Sequence, residues 1–360
     1  MARIDAFFKL MNDEGASDLH MVAGQQPILR IRGEMERVKF KVLDNEELKS
    51  MLYEICPEDK IKIFEETGDM DFGYEIPGLA RYRCNFFQQK YGIGAVFREI
   101  PSEIVTCEQL GLPKVISKLA TLPKGMVLVT GPTGSGKSTT LAAIVDECNK
   151  IRKHHILTIE DPIEFVHKSQ QCIINHREVG THTRTFHAAL RGALREDPDI
   201  ILVGEMRDLE TISLAMEASM TGHLVFGTLH TLNAMKTVDR IIEIFPATQQ
   251  SQVRSTLADA LRAVVSQTLL KRIDTKGRVA ALEILICTPA VRNLIREGKT
   301  YQIPSVMQTG KKYGMQSLDD HLMELLEKKR ISAEDAYINC MEKQKFIKFL
   351  RKQPADFTEV

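Results

Sequence analysis

Apolar residues along the first hundred positions change their period repeatedly, and each change marks an element. Ile4, Phe7, Phe8 and Met11 recur at helical spacing, which predicts an amphipathic helix over residues 4–11. Strand-like pieces follow at 28–32 and 35–40, with Gly33 as the turn between them. A second helix is expected over 45–55, capped by Asp44 and stopped before Pro57. Residues 80–87 and 94–100 then read as strands. This mixture predicts a small α+β domain over residues 1–100.

The texture shifts at 101–123, where Pro101, Gly111, Pro113 and Pro123 fall close together and predict a linker. From Lys124 the order becomes strand, Gly-rich turn, helix, strand and helix again, with apolar strands at 126–130, 200–203 and 224–227. That alternation predicts a parallel α/β sheet with crossover helices over 124–287. After Thr288 strands give way to short helices, so 288–360 reads as a C-terminal helical region with a charged segment at 324–352.

Composition narrows the class. An apolar fraction of 43% supports an ordinary globular core, and 48 basic against 48 acidic residues gives no electrostatic case for nucleic acid. Tryptophan is absent and no basic stripe interleaves with aromatics, which counts against a RecA-like nucleic-acid motor. Apolar runs stay far below the roughly 20 residues that span a bilayer. Arg3, Asp5, Lys9, Asp13 and Glu14 leave no apolar core for a secretory signal. The seven cysteines, Cys56, Cys84, Cys107, Cys148, Cys172, Cys287 and Cys340, contain no CxxC pair. Their scatter excludes a zinc ribbon and fits reduced, mostly buried thiols in a cytosolic compartment.

The chemistry concentrates at residues 131–138, an intact GxxxxGK[ST] P-loop between an apolar strand and a helix expected from Ser138 to Asn149. Gly131, Gly134 and Gly136 let the backbone wrap, with Thr133 and Ser135 between them, so that N–H groups point at β-phosphate oxygens. Lys137 reaches the β- and γ-phosphates, Ser138 ligates Mg²⁺, and Thr139 lies near the α-phosphate. ATP and Mg²⁺ are therefore the expected ligands. An acidic partner is needed as well. Glu205, at the end of an apolar strand, is the expected general base or water-positioner. Glu160 and Glu164 follow another strand and are expected to share metal and water contacts, Glu160 with Mg²⁺ directly or through water; which of the two is nearer the ion stays open. Thr228 and His230 follow the strand at 224–227 and could sense the γ-phosphate. A satisfied structural histidine explains His223 or His230 equally well. Arg184, His187, Arg191 and Arg195 share one face of a helix over 184–195, most simply a solvated one.

Taken together, the P-loop, TIEDPIE at 158–164, LREDPDIILVGEMRD at 194–208 and TGHLVFGTLHT at 221–231 resemble the secretion ATPase superfamily of type II secretion and type IV pili. The resemblance implies a RecA-like P-loop ATPase domain preceded by a PAS-like domain, assembled as a homohexamer. It also gives Arg83 and Arg98, with Arg81 in reserve, a role in reaching nucleotide; read alone, all three are surface residues. The missing tetracysteine module argues against an extension or secretion ATPase. Residues 288–298 resemble the AIRNLIRE motif of the PilT-type retraction branch, in a helix capped by Thr288 and closed by Gly298. Val291, Leu294 and Ile295 form its buried stripe, leaving Arg292, Asn293 and Arg296 outward for coupling. The accessory PilU-type branch shares most of these motifs. Either branch implies twitching motility, an inner-membrane platform partner, possible association with other pilus ATPases, and peripheral attachment at the cytoplasmic face of the inner membrane.

Overall fold

The computed structural model describes residues 2–31, 33–100 and 103–350. Arg32 of the expected strand, Pro101 and Ser102 of the expected linker, and the end of the C-terminal region from 351 on lie outside the described residues. The chain divides into two compact units. One holds Met1–Glu103 with Pro162–Val166; the other holds Ile104–Asp161 with His167–Val360.

The first unit runs α1 (Asp5–Asp13), β1 (Asp18–Val22), β2 (Ile28–Ile31), β3 (Glu34–Arg37), α2 (Asn45–Tyr53), α3 (Glu58–Thr67), β4 (Asp69–Ile76), β5 (Ala80–Gln89) and β6 (Gly92–Ile100). Its strands form one antiparallel sheet in the order β3-β2-β1-β6-β5-β4. Alternation decides the two faces: Ala80, Tyr82, Cys84 and Phe86 of β5 are buried, while Arg81, Arg83 and Asn85 point the other way. Phe8 of α1 stacks on Tyr82 at 4.1 Å between centroids and meets Phe97 edge-on at 5.0 Å. Pairs of this kind add about 0.5–1.5 kcal/mol each beyond area burial, and they pin α1 to the inner face. Asp44 caps α2 by accepting from Glu47 N at 2.9 Å. The helix α3 is silent in the sequence because Phe64 is its one buried residue, so no stripe advertises it. Strand β3 is shorter than the expected 35–40 and exposed throughout, an edge with no buried face.

The second unit adds α4 (Lys114–Leu119), β7 (Gly125–Thr130), α5 (Lys137–Ile151), β8 (His155–Glu160), β9 (Ile173–Glu178), α6 (Phe186–Ala193), β10 (Ile200–Val203), α7 (Leu209–Met220), β11 (Leu224–Leu229), α8 (Ala234–Glu243), α9 (Gln250–Ala260), β12 (Leu261–Lys271) and β13 (Arg278–Ile286). Short helices follow: α10 (Pro289–Arg296), α11 (Ile303–Thr309), α12 (Leu318–Glu327), α13 (Ala333–Asn339) and α14 (Lys343–Ile347). The sheet order is β13-β12-β7-β11-β10-β8-β9, parallel except for β13. This is the mixed α/β, RecA-like class. Adjacent residues of β7 enter different cores: Met126 and Leu128 join one, Val127 and Val129 the other. Burial on both faces explains why these strands read as unbroken apolar runs.

Residues from Ile104 onward are more than a connector, because Cys107, Ile116, Leu119 and Ala120 are buried in a core of the second unit. Thr288 takes the cap position of α10, but its side chain makes no capping bond; its carbonyl accepts from Arg292 N instead. Gly298, at φ +68°, closes the helix as expected, with Lys299 N bonded to Leu294 O at 2.8 Å. All seven cysteines are free and buried. Among the described residues no helix is long and apolar enough to cross a membrane.

Candidate nucleotide site

Strand β7 delivers the chain to Gly131, whose φ of +143° only glycine adopts readily. A Cβ there would lie 2.2 Å from the carbonyl oxygen of Gln267 on β12, so backbone approach as well as torsion requires glycine. Gln267 also holds the loop: its Nε2 donates to Ser135 O at 2.6 Å, and its Oε1 accepts from Thr140 Oγ1 at 2.9 Å. Thr130 and Ser266, one residue earlier on each strand, share a hydroxyl bond of 2.8 Å. The polar pair Ser266-Gln267, itself buried and directly after the apolar run Ala263–Val265, was the available signal for this support, and the motif reading passed over it.

Lys137 Nζ donates to the carbonyls of Gly131 and Pro132 at 3.0 and 3.1 Å. It stands over the mouth of the loop at the N-terminus of α5, where helix N–H groups and the dipole favour an anion. Ser135 Oγ is buried and has no hydrogen-bond partner. A polar atom desolvated in this way is costly until a ligand satisfies it, which fits an oxyanion in the loop. Ser138 and Thr139 lie half-buried in the first turn of α5, and Thr133 and Gly134 are exposed at the tip.

Glu205 follows β10 after Gly204. Thr228 is a strand residue of β11 rather than part of the following loop, because the parallel ladder continues to Leu229. Its hydroxyl donates to Gly204 O at 2.5 Å and its carbonyl accepts from Met206 N at 3.1 Å, tying the two strand ends together. His230, the first residue past β11, places Nε2 2.7 Å from Glu205 Oε1 and Nδ1 3.5 Å from Lys137 Nζ. Arg207 Nε sits 2.5 Å from the same Glu205 oxygen. Burial pushes the Glu205 carboxyl up, but Arg207 and then His230 outweigh it and hold the group below the usual carboxylate range. A carboxylate, an imidazole and an ammonium are thus linked in sequence beside the loop. His223, by contrast, places Nδ1 2.9 Å from Ala218 O at the end of α7, a structural bond.

Glu160 closes β8 and is buried. His176 on β9 lies opposite Thr158, with Nδ1 2.8 Å from the Thr158 hydroxyl and 3.9 Å from Glu160 Oε1. The backbone N–H of His167 donates to His176 Nε2 at 3.1 Å, and Nδ1 is the ring nitrogen that faces Thr158 and Glu160. Sequence reasoning missed His176 because β9 was not read as a strand. Glu164 falls in Pro162–Val166, which packs with the first unit, whereas Glu160 belongs to the second. Among the described residues no group of three or more His, Cys, Asp or Glu side chains is placed to hold a metal ion.

In the first unit Arg83 and Arg98 are direct cross-strand partners on β5 and β6. Arg81 lies two residues from Arg83 on the same face, its guanidinium over Gly73, where a Cβ would come 2.8 Å from Nη2. Of the three residues on α10, Asn293 and Arg296 are exposed and Arg292 is less free than expected. Arg292 is half-buried and its Nε donates to Cys287 O at 3.1 Å, while Arg296 bonds Asn293 Oδ1 at 2.9 Å and pairs with Asp259 of α9. The Arg292 guanidinium turns back to a nearby acceptor, whereas Arg296 stays on the exposed face of the helix within its ion pair. Arg191 and Arg195 of the α6 segment are exposed.

The family model for "Type II/IV secretion system protein" matches residues 3–336. The chain is similar to a Pseudomonas aeruginosa protein named "Type IV pilus retractation ATPase PilT", 55% identical over 323 residues, covering 90% of this chain and 94% of that one. It is also similar to a "Twitching motility protein" of Neisseria gonorrhoeae, 53% identical over 310 residues, covering 86% and 83% of the two chains. A solved structure described as the pilus retraction motor PilT with bound ADP superposes with a TM-score of 0.88 at 44% identity, covering 96% of this chain and 98% of that one.

Proposed function

We propose that this chain, which belongs to the type II/IV secretion system protein family, is an ATP-hydrolysing motor that powers retraction of type IV pili. The observation that carries the chemistry is the line from Lys137 through His230 to Glu205 beside a P-loop with a desolvated hydroxyl. The similarity to a named retraction ATPase over nearly all of both chains carries the biological assignment.

In this reading the loop N–H groups and Lys137 bind the β- and γ-phosphates, and Glu205, ionised and oriented by His230, takes a proton from the attacking water. Ser138, with Glu160 directly or through water, would hold Mg²⁺, which neutralises phosphate charge when bound. Arg83 and Arg98, with Arg81 in reserve and Glu164 alongside, act on the same nucleotide and stabilise charge on the transferring phosphoryl group. Subunits form a homohexamer at the cytoplasmic face of the inner membrane and drive a platform protein there, with Arg292, Asn293 and Arg296 serving the coupling.

The test is Glu205→Gln at the native locus. Long, non-retracting pili and lost twitching are expected. Bald cells would mean that the motor extends pili, and normal twitching would remove Glu205 from catalysis.

A further inference from the structure

Four residues form one row across the outer face of the first unit's sheet. The registers set Arg30 of β2 opposite Asp18 of β1, Asp18 opposite Arg98 of β6, and Arg98 opposite Arg83 of β5. Asp18 points away from the aromatic core yet is buried, because arginines cover it on both sides. Its Oδ1 accepts from Arg98 Nε at 2.9 Å, while Oδ2 accepts from Ser17 Oγ at 2.7 Å and lies 3.8 Å from Arg30 Nε. Cross-strand like charges repel, so Arg98 beside Arg83 needs an anion to stay in place. Arg83 has its own carboxylate, Asp71, at 3.6 Å.

We infer that Asp18 is a positioning residue for catalysis: it grips Arg98 by Nε and presents the two terminal nitrogens of the guanidinium to the phosphates of the nucleotide. The choice of nitrogen is what matters. A carboxylate bound to the terminal pair would occupy the fork that matches phosphate; one bound at Nε fixes the plane of the group and leaves the fork open. Arg98 is the most exposed side chain of the row, at 66%, as a presented group must be. This rests on the reading that Arg98 reaches nucleotide.

The test is steady-state ATPase of the full-length chain with Asp18→Asn, Arg98→Ala and the double variant, each with a melting curve. Asp18→Asn keeps the shape and removes the charge. It is expected to lower kcat about tenfold with little change in KM, and to add nothing once Arg98 is alanine. Asp18→Glu, which restores the charge at a longer reach, should recover part of kcat, and it carries the test if the asparagine variant folds poorly. An Asp18→Asn effect that persists undiminished in the Arg98→Ala background would overturn the positioning role and leave a structural one. A normal kcat in Asp18→Asn beside a depressed one in Arg98→Ala would overturn it as well. If Arg98→Ala itself turns over normally, the arginine reading fails first and the role of Asp18 falls with it.

Discussion

His230 Nε2 and Arg207 Nε converge on a single oxygen of Glu205, at 2.7 and 2.5 Å. Both donors stabilise the ionised carboxyl, so the base is charged and ready at neutral pH, at the expense of basicity. Arg207 also feels Asp161, which follows β8, so the end of the acidic box borders the same charge cluster.

Replacing Arg207 by Gln removes the stronger donor from an acid whose proton affinity it lowers. The carboxyl then protonates at higher pH, and the acid limb of kcat/KM, which reports the free enzyme, should move upward in pH. A limb that stays in place while kcat falls would show that Arg207 serves another group.

Gln267→Leu keeps the volume and deletes both bonds that suspend the P-loop. Ser135 O and Thr140 Oγ1 lose a buried partner each, at about 1–3 kcal/mol apiece. The variant should melt earlier, and its melting point should rise less on adding ATP than that of the parent. Equal ATP-induced shifts in both proteins would mean that the loop holds its shape without Gln267.

His167 offers a readout of stability. Burial, reinforced by the neighbouring His176, pushes it down to about 4 from 6.5, and its Nδ1 has no partner. The unfolded chain takes up a proton near pH 6.5 that the folded chain refuses until about pH 4. Stability is therefore whole above that window and declines as pH falls through it, by on the order of 3 kcal/mol at most. His167→Phe should flatten the melting temperature between these limits. An unchanged acid decline would assign the sensitivity to other groups.

How much of this was legible beforehand depended on where each signal is stored. The P-loop carries its own geometry in Gly131, Gly136 and Lys137, so eight consecutive residues announce the site. The strand ahead of it shows as an apolar run because both faces are covered. Arg98, Arg83 and Asp18 are far apart in the chain and meet only through antiparallel register, which no local window contains. His176 and Gln267 sit on strands that were not read, and a polar residue gains meaning only when its neighbour across the sheet is known. The guanidinium of Arg292 turned inward because an open carbonyl at Cys287 lay within reach, a detail that periodicity cannot supply.

The buried cysteines make the molecule its own clock. A thiol reacts as thiolate, and burial pushes Cys148 and Cys287 up to about 12 and Cys56 to about 11, so alkylating reagents are refused by the closed fold. Labelling therefore counts transient openings. Cys56 and Cys84 keep time for the first unit, and the other five for the second, so one reaction followed with and without nucleotide compares how often each half breathes.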